Sequence, residues 1–225
     1  MIVTYTGNVQ PGGPADVREL SRLRITKLAV DEQMSNNCYL LTCTETGEQL
    51  LIDAAADAGT LLGLVGEAGL ATVVTTHQHW DHHRALAEVV AATGARVVAG
   101  LPDADAITVQ TGVPVTEEVQ QGGTVSVGSC RLEVIALAGH TPGSIALLYQ
   151  GDPERPHLWS GDSLFPGGAG NTEKDPARFT SLLDDLERKV FGPLPDHTWV
   201  YPGHGRDTTL GAERGSLPEW RERGW

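Results

Sequence analysis

Short apolar runs alternate with turn-forming residues along most of this chain. The runs are rich in Val, Ile, Leu or Thr, and Gly, Asp or Pro bounds most of them, so they predict β-strands. The predicted strands cover residues 24–30, 38–44, 49–53, 72–76, 95–99, 131–137, 145–150, 157–160 and 198–201. They fall into two batches, one before and one after about residue 110.

Three other segments carry apolar residues at helical spacing. The first covers about residues 58–68, and the second runs from about Asp81 to Thr93. The third begins at Asp175, which can cap a helix, and Pro176 follows at the first helical position. Each batch of strands is thus followed by helices, and no linker divides the chain. We expect one layered α/β domain over residues 1–225, with sheets inside and helices outside.

An excess of acidic residues determines the charge of the molecule. The 225 residues carry a formal net charge of −13, and the isoelectric point is near 4.9. Such a surface repels phosphate backbones, which disfavours nucleic-acid binding. No window approaches roughly eighteen consecutive apolar residues, so we expect no membrane span. Residues 1–14 lack the features of a signal peptide, and the three cysteines form no zinc-type pair, so we expect a cytoplasmic protein with reduced thiols.

One run of residues carries most of the chemistry. The segment Thr76-His77-Gln78-His79-Trp80-Asp81-His82 supplies three imidazoles and a carboxylate between His77 and His82. Buried polar groups this close together need a partner, and a metal ion is the natural one. Imidazole and carboxylate ligands suit Zn²⁺, with Fe²⁺ or Mn²⁺ as alternatives. The run follows a predicted strand, and Asp81 and His82 are expected at the N-terminus of the next helix, where the helix dipole favours a carboxylate.

Three further candidates have the same position relative to a predicted strand. His140 lies in the turn Gly139-His140-Thr141-Pro142-Gly143, Asp162 follows strand 157–160, and His204 lies in Pro202-Gly203-His204-Gly205. The flanking glycines allow tight turns that direct these side chains. Four strand ends therefore deliver candidate ligands to one edge of the predicted sheets.

The number of candidate ligands exceeds what one tetrahedral ion needs. Five histidines and two aspartates suit two ions that share a carboxylate. Such a pair can hold a bridging hydroxide, because metal binding lowers the pKa of water toward neutrality. The sequence therefore predicts a metal-dependent hydrolase acting on a small molecule.

These motifs resemble those of the metallo-β-lactamase superfamily, and within it the hydroxyacylglutathione hydrolase (glyoxalase II) branch. The resemblance runs from Asn37-Cys38-Tyr39-Leu40-Leu41 to His204, and the family motif HxHxDH stands here in the His77 to His82 run. It implies a four-layer αββα sandwich and a supporting role for Asp53 behind the metal-binding histidines. The implied ligands are His77, His79 and His140 for one ion and Asp81, His82 and His204 for the other, with Asp162 between them.

Two departures from that branch bear on the substrate. Only about twenty residues follow His204, so the helical domain of the larger relatives is expected to be absent. Residues 164–171 read Leu-Phe-Pro-Gly-Gly-Ala-Gly-Asn, where many relatives have a Gly-Cys-Gly-Arg run. The tail Thr208-Thr209-Leu210-Gly211-Ala212-Glu213-Arg214 instead resembles that of the short bacterial glyoxalase II-like proteins.

The resemblance leaves two enzymatic hypotheses open. The first is hydrolysis of a thioester, or of an ester or lactone, by a metal-bridging hydroxide, with Asp81 as the catalytic residue that orients the nucleophile. The second is a persulfide dioxygenase with one iron ion bound by residues matching His77, His140 and Asp162. The physiological metal, the acyl group, the thiol or alcohol carrier and the oligomeric state stay undetermined at the level of sequence.

Overall fold

Two β-sheets packed face to face form the centre of the molecule. In the computed structural model, which describes residues 5–224, the first sheet has seven strands in chain order. Pairs from β1 to β4 are antiparallel and pairs from β4 to β7 are parallel. The strands are β1 (Asp16–Glu19), β2 (Leu23–Val30), β3 (Asn36–Cys43), β4 (Gln49–Ile52), β5 (Thr72–Thr75), β6 (Arg96–Gly100) and β7 (Glu117–Val119).

The second sheet has six strands in the order β15-β14-β11-β10-β9-β8, and only β11 and β14 pair in parallel. A separate two-stranded hairpin, β12–β13, lies between β11 and the following helix along the chain. The strands are β8 (Thr124–Val127), β9 (Cys130–Ala136), β10 (Ile145–Tyr149), β11 (His157–Gly161), β12 (Leu164–Phe165), β13 (Gly168–Ala169), β14 (Trp199–Pro202) and β15 (Thr208–Thr209).

Helices cover the outer face of each sheet. Helices α1 to α3 cover the first sheet, and α4 to α6 cover the second. A π-helical segment, Leu186–Phe191, continues α4. The helices are α1 (Ala58–Val65), α2 (Leu86–Thr93), α3 (Leu101–Thr111), α4 (Pro176–Asp185), α5 (Leu210–Arg214) and α6 (Leu217–Arg223).

Strand β3 illustrates how one sequence pattern builds several layers. Its residues Tyr39 and Leu41 belong to the cluster between the two sheets, whereas Cys38 and Leu40 pack under α1 and α2. Successive side chains of a strand point to opposite faces, so a strand buried on both sides reads as a continuous apolar run. A third cluster joins the second sheet to α4 and α6. The predicted four-layer αββα sandwich is therefore confirmed.

The helix predicted from about Asp81 to Thr93 begins later than expected. Residues Trp80–His82 form one 3₁₀ turn, and α2 starts only at Leu86. His83 has φ −146° and ψ 21°, outside the helical region, so the backbone leaves the helical path between the two segments. Asp81 and His82 thus lie on a short turn before the helix, and the helix-dipole argument for Asp81 was wrong.

The predicted start of α4 is confirmed: the side chain of Asp175 accepts hydrogen bonds from the backbone N–H groups of Ala177 and Arg178. Helix α3 was not predicted, because its outer face is polar and only Ala104 and Ile107 are buried apolar residues.

No helix among residues 5–224 combines the length and apolar character that crossing a membrane requires. Residues 1–4 and 225, which belong to the predicted domain and in part to the segment tested for a signal peptide, lie outside the described residues.

Candidate metal centre

Seven polar side chains meet where strands of both sheets end at one edge of the sandwich. They form three groups whose nitrogen or carboxylate oxygen atoms lie within 4.8 Å of one another: His77, His79 and His140; His77, His82 and Asp162; and Asp81, His82 and His204. Two of these residues follow β5, two lie in the 3₁₀ turn, and one each comes from the β9–β10 loop, the end of β11 and the end of β14. The structure therefore brings all seven candidates from the sequence into one cluster.

The distances between these side chains match a coordination sphere. The Nε2 atoms of His77 and His140 are 3.2 Å apart, and those of His82 and His204 are 3.1 Å apart. Asp162 Oδ1 lies 3.4 Å from His82 Nε2, and Asp162 Oδ2 lies 3.4 Å from His204 Nε2 and 3.7 Å from His140 Nε2. Ligand atoms bound to one tetrahedral zinc ion are separated by about 3.3 Å, given Zn–N bonds of about 2.0–2.1 Å. The donor atoms are thus spaced for direct metal coordination.

The partners of the imidazole Nδ1 atoms fix which ring nitrogen points into the site. His140 Nδ1 donates to the carbonyl of Asn171, and His204 Nδ1 donates to the carbonyl of Met34, since a carbonyl oxygen only accepts. In each neutral ring the Nε2 lone pair then faces the centre of the cluster. Converging lone pairs repel one another, so the cluster requires added positive charge, from protons or from metal ions.

Asp53 supports the loop that carries His77 and His82 from the side away from the cluster centre, as the resemblance implied. Its Oδ2 lies 2.8 Å from Nδ1 of His82, and its Oδ1 accepts from the backbone N–H of Thr76 at 2.8 Å. The Thr76 hydroxyl donates to Asp53 Oδ2 and lies 3.0 Å from Nδ1 of His77. Because that hydroxyl hydrogen is used by Asp53, His77 donates to the hydroxyl oxygen and its Nε2 is free to face the site. A single carboxylate thereby orients two candidate ligands.

Asn36 is a site residue that sequence reasoning missed. It is fully buried, and its Nδ2 donates to Oδ2 of Asp81 at 2.9 Å. Arg84 stands next to it, donating to Asn36 Oδ1 at 3.4 Å. A signal was present in the sequence, since two asparagines precede an apolar strand, a costly arrangement unless their side chains have partners.

Charges in the cluster shift its pKa values strongly when no metal is bound. Burial lowers the pKa of His204, but the carboxylates of Asp162 and Asp81 outweigh it and raise that pKa to about 9. The pKa of His82 is likewise raised against burial by Asp162 and Asp53. Burial and neighbouring histidines instead lower the pKa of His77. The three carboxylates of Asp53, Asp81 and Asp162 thus favour positive charge on the side of the cluster that contains His82 and His204.

One carboxylate oxygen of Asp162 lacks a hydrogen-bond donor, which is a further sign of a cation site. Its Oδ1 is buried and accepts no hydrogen bond. Gly203 makes room for it, since a Cβ there would lie 2.1 Å from Asp162 Oδ1. An unpaired buried carboxylate oxygen is costly, and a metal ion removes that cost.

A cavity opens beside this cluster. It measures about 630 Å³ and borders His79 and His140. Trp80 lies in the same loop, between His79 and Asp81, and is 54% exposed. The guanidinium carbon of Arg84 is 4.8 Å from the centre of the Trp80 ring. The Phe165 ring lies 6.3 Å from that of His204. The cluster is therefore accessible to a small molecule next to exposed aromatic surface.

A buried cluster of histidines and aspartates at the edge of an αββα sandwich defines a metal-binding α/β protein. Residues 32–204 match the family model described as the metallo-beta-lactamase superfamily, and the chain belongs to that superfamily. It is similar to a hydroxyacylglutathione hydrolase from Polaromonas sp., with 38% identity over 171 residues that make up 74% of this chain and 60% of the relative. The chain thus spans about three fifths of the length of this curated relative.

Two solved structures extend the similarity to the fold. The crystal structure of ETHE1 from Myxococcus xanthus has a TM-score of 0.74 and 29% identity, covering 88% of this chain and 84% of that protein. The crystal structure of TTHA1623 in a di-iron-bound form has a TM-score of 0.65 and 29% identity, covering 84% of this chain and 96% of that protein.

Proposed function

We propose that this protein is a dinuclear metal-dependent hydrolase that cleaves a small thioester, or a related ester or lactone. The observation that carries the proposal is the convergence of imidazole nitrogens and two carboxylates in three overlapping groups, with one buried carboxylate oxygen that accepts no hydrogen bond. The similarity to hydroxyacylglutathione hydrolases supports the thioester as substrate class. The di-iron-bound form of TTHA1623 supports two ions.

The proposed ligands divide between two ions. His77, His79 and His140 would hold one, and Asp81, His82 and His204 the other, with Asp162 shared. Zinc is the metal that this set of nitrogen and oxygen ligands suits best, and iron or manganese are alternatives. When bound, such ions lower the pKa of water toward neutrality and stabilise negative charge on an acyl oxygen.

Asp81 is proposed as the residue that directs the attacking water. Asn36 fixes its Oδ2, so the carboxylate is held in one orientation against the site. In thioester cleavage the water oxygen bonds to the acyl carbon, the C–S bond breaks, and sulfur leaves with the electron pair. The Asp81 carboxylate accepts the water proton and passes it to the departing thiolate.

A second function is favoured by a subset of the same geometry. His77, His140 and Asp162 are adjacent, with 3.2 Å between the two Nε2 atoms and 3.7 Å from His140 to Asp162. Two histidines and one carboxylate form the ligand set of many non-haem iron oxygenases. A mononuclear persulfide dioxygenase is therefore the alternative, and the structural similarity to ETHE1 adds to its weight.

Metal content and two assays separate these functions. The purified protein is analysed for bound metals, then assayed with a hydroxyacyl thioester of glutathione by thiol release and with glutathione persulfide by oxygen uptake. Two metal equivalents with thiol release, abolished in Asp81→Asn, are the expected result. One equivalent of iron with oxygen uptake, and no thiol release, would overturn the hydrolase in favour of the dioxygenase.

A further inference from the structure

A buried carboxylate outside the candidate ligand set links two of its loops. Asp103 lies in the first turn of α3 and is completely buried. Its Oδ2 accepts from the backbone N–H of Gln78 at 2.9 Å and from the hydroxyl of Thr141 at 2.6 Å. Its Oδ1 accepts from the backbone N–H of Gly143 at 2.7 Å. Every one of these donors comes from a different part of the chain than Asp103 itself.

The donors sit immediately beside candidate ligands. Gln78 separates His77 from His79 in the loop after β5 of the first sheet, and Thr141 follows His140 in the β9–β10 loop of the second sheet. The packing around this carboxylate is tight, since a Cβ at Gly143 would lie 2.5 Å from the backbone nitrogen of Asp103. Asp103 is thus a single anchor for the loops that carry all three histidines of one proposed site.

Other groups support the second proposed site, although one of them, Asp53, also reaches His77 through Thr76. His82 is held by Asp53, Asp81 by Asn36, and His204 by the carbonyl of Met34. None of the hydrogen bonds of Asp103 reaches this second set. We propose that Asp103 is a positioning residue that sets the metal affinity of the three-histidine site without affecting the other site, an inference that rests on the proposed function.

The consequence of replacing this carboxylate follows from its hydrogen bonds. An amide at this position has one acceptor atom, so Asp103→Asn loses the acceptor for either Gly143 or the Gln78–Thr141 pair. If the amide oxygen faces Gly143, the loop of Gln78 loses its link to the loop of His140; if it faces Gln78 and Thr141, the Gly143 N–H loses its acceptor and meets an N–H group instead. Loss of an outer partner of this kind weakens metal affinity by about 10- to 100-fold.

The test is a zinc titration in competition with a chromophoric chelator, performed on two backgrounds. His204→Ala leaves the three-histidine site, and His140→Ala leaves the other site. We expect Asp103→Asn to weaken zinc binding by about 10- to 100-fold on the first background and by less than about threefold on the second. Equal weakening on both backgrounds, or none on either, would overturn the proposal.

Asp16→Ala is the control for a purely structural effect, because Asp16 accepts its three hydrogen bonds at Oδ2 and an amide there would keep them. Asp16 is also a buried aspartate that accepts three hydrogen bonds, from Thr6 N, Thr6 Oγ1 and Gly7 N at 2.8, 2.8 and 2.9 Å, and none of these partners is next to a candidate ligand. If it weakens zinc binding on the His204→Ala background as much as Asp103→Asn does, Asp103 acts only through general stability and the proposal fails.

A milder variant keeps the question answerable if Asp103→Asn does not fold. Thr141→Val removes one donor to Asp103 and keeps the side-chain shape, so it is expected to weaken the three-histidine site in the same selective manner. The two hypotheses also fail differently. Wild-type protein that binds no second metal ion and cleaves no thioester refutes the proposed function, whereas a two-metal hydrolase unaffected by these variants refutes only the role of Asp103.

Discussion

Removing the carboxylate of Asp81 is expected to slow turnover by orders of magnitude while leaving the fold in place. General-base assistance by a positioned side chain contributes about 10²- to 10⁴-fold, which corresponds to about 3–5 kcal/mol of the activation barrier. The structural cost is smaller: Asp81→Ala leaves the Nδ2 group of Asn36 without its acceptor, at a cost of about 1–3 kcal/mol. Asp81→Asn keeps the side-chain volume and serves as the companion variant.

The assay must separate catalysis from metal loss, because Asp81 also lies 3.4 Å from Nε2 of both His82 and His204. Thiol release is therefore measured at saturating zinc, with bound metal determined on the same samples and folding checked by urea unfolding. A folded variant with two bound ions and a kcat within about tenfold of the wild type would contradict the assigned role.

Three further predictions test the site and its surroundings. Asp53→Ala should lower zinc affinity by about 10- to 100-fold in chelator competition, because His82 loses its orienting partner, and unchanged affinity would refute that support. Gly203→Ala should fold yet bind less metal by elemental analysis, because its methyl group displaces Asp162; full metal content would show that the space is not needed. Burial lowers the pKa of His157 to about 4, so the unfolded chain takes up a proton first as the pH falls. From about pH 7 to pH 5 the protein should therefore lose about 2 kcal/mol more unfolding free energy than His157→Gln does, measured in urea with chelator present; equal slopes for both proteins would contradict this account.

The strand pattern could be predicted because it is local. All nine predicted strands are present, with ends shifted by at most two residues, as in β3, predicted at 38–44 and found at Asn36–Cys43. The six strands that were missed in the described part of the chain have only two to four residues each: β1, β7, β8, β12, β13 and β15. Strand β1, for example, reads Asp-Val-Arg-Glu, so no apolar run marks it. Its pairing with β2 depends on a neighbouring strand, which a single stretch of sequence does not reveal.

The residues of the candidate site also divide into those that local sequence marks and those that only the fold brings together. The run from His77 to His82 is dense enough in ligand-type residues to be recognised without a fold, and turn glycines mark His140 and His204. Asn36 and Asp103 could not be found in this way. Asn36 reaches Asp81 across 45 positions, and Asp103 reaches Gly143 across 40, so their roles exist only in the folded chain.

The same carboxylates serve the site with and without metal. In the metal-free protein they raise the pKa values of His82 and His204 against the effect of burial, which favours a proton between the two rings, whose Nε2 atoms are 3.1 Å apart. A divalent ion has to displace this protonic charge when it binds. The carboxylates that attract a cation therefore also offset the repulsion between the facing nitrogen lone pairs in the metal-free cluster. On the three-histidine side, burial leaves His77 and His140 with lowered pKa values and little proton to displace. There Asp103 links the two ligand loops by hydrogen bonds, so we expect this link to matter more for metal binding in that half of the centre.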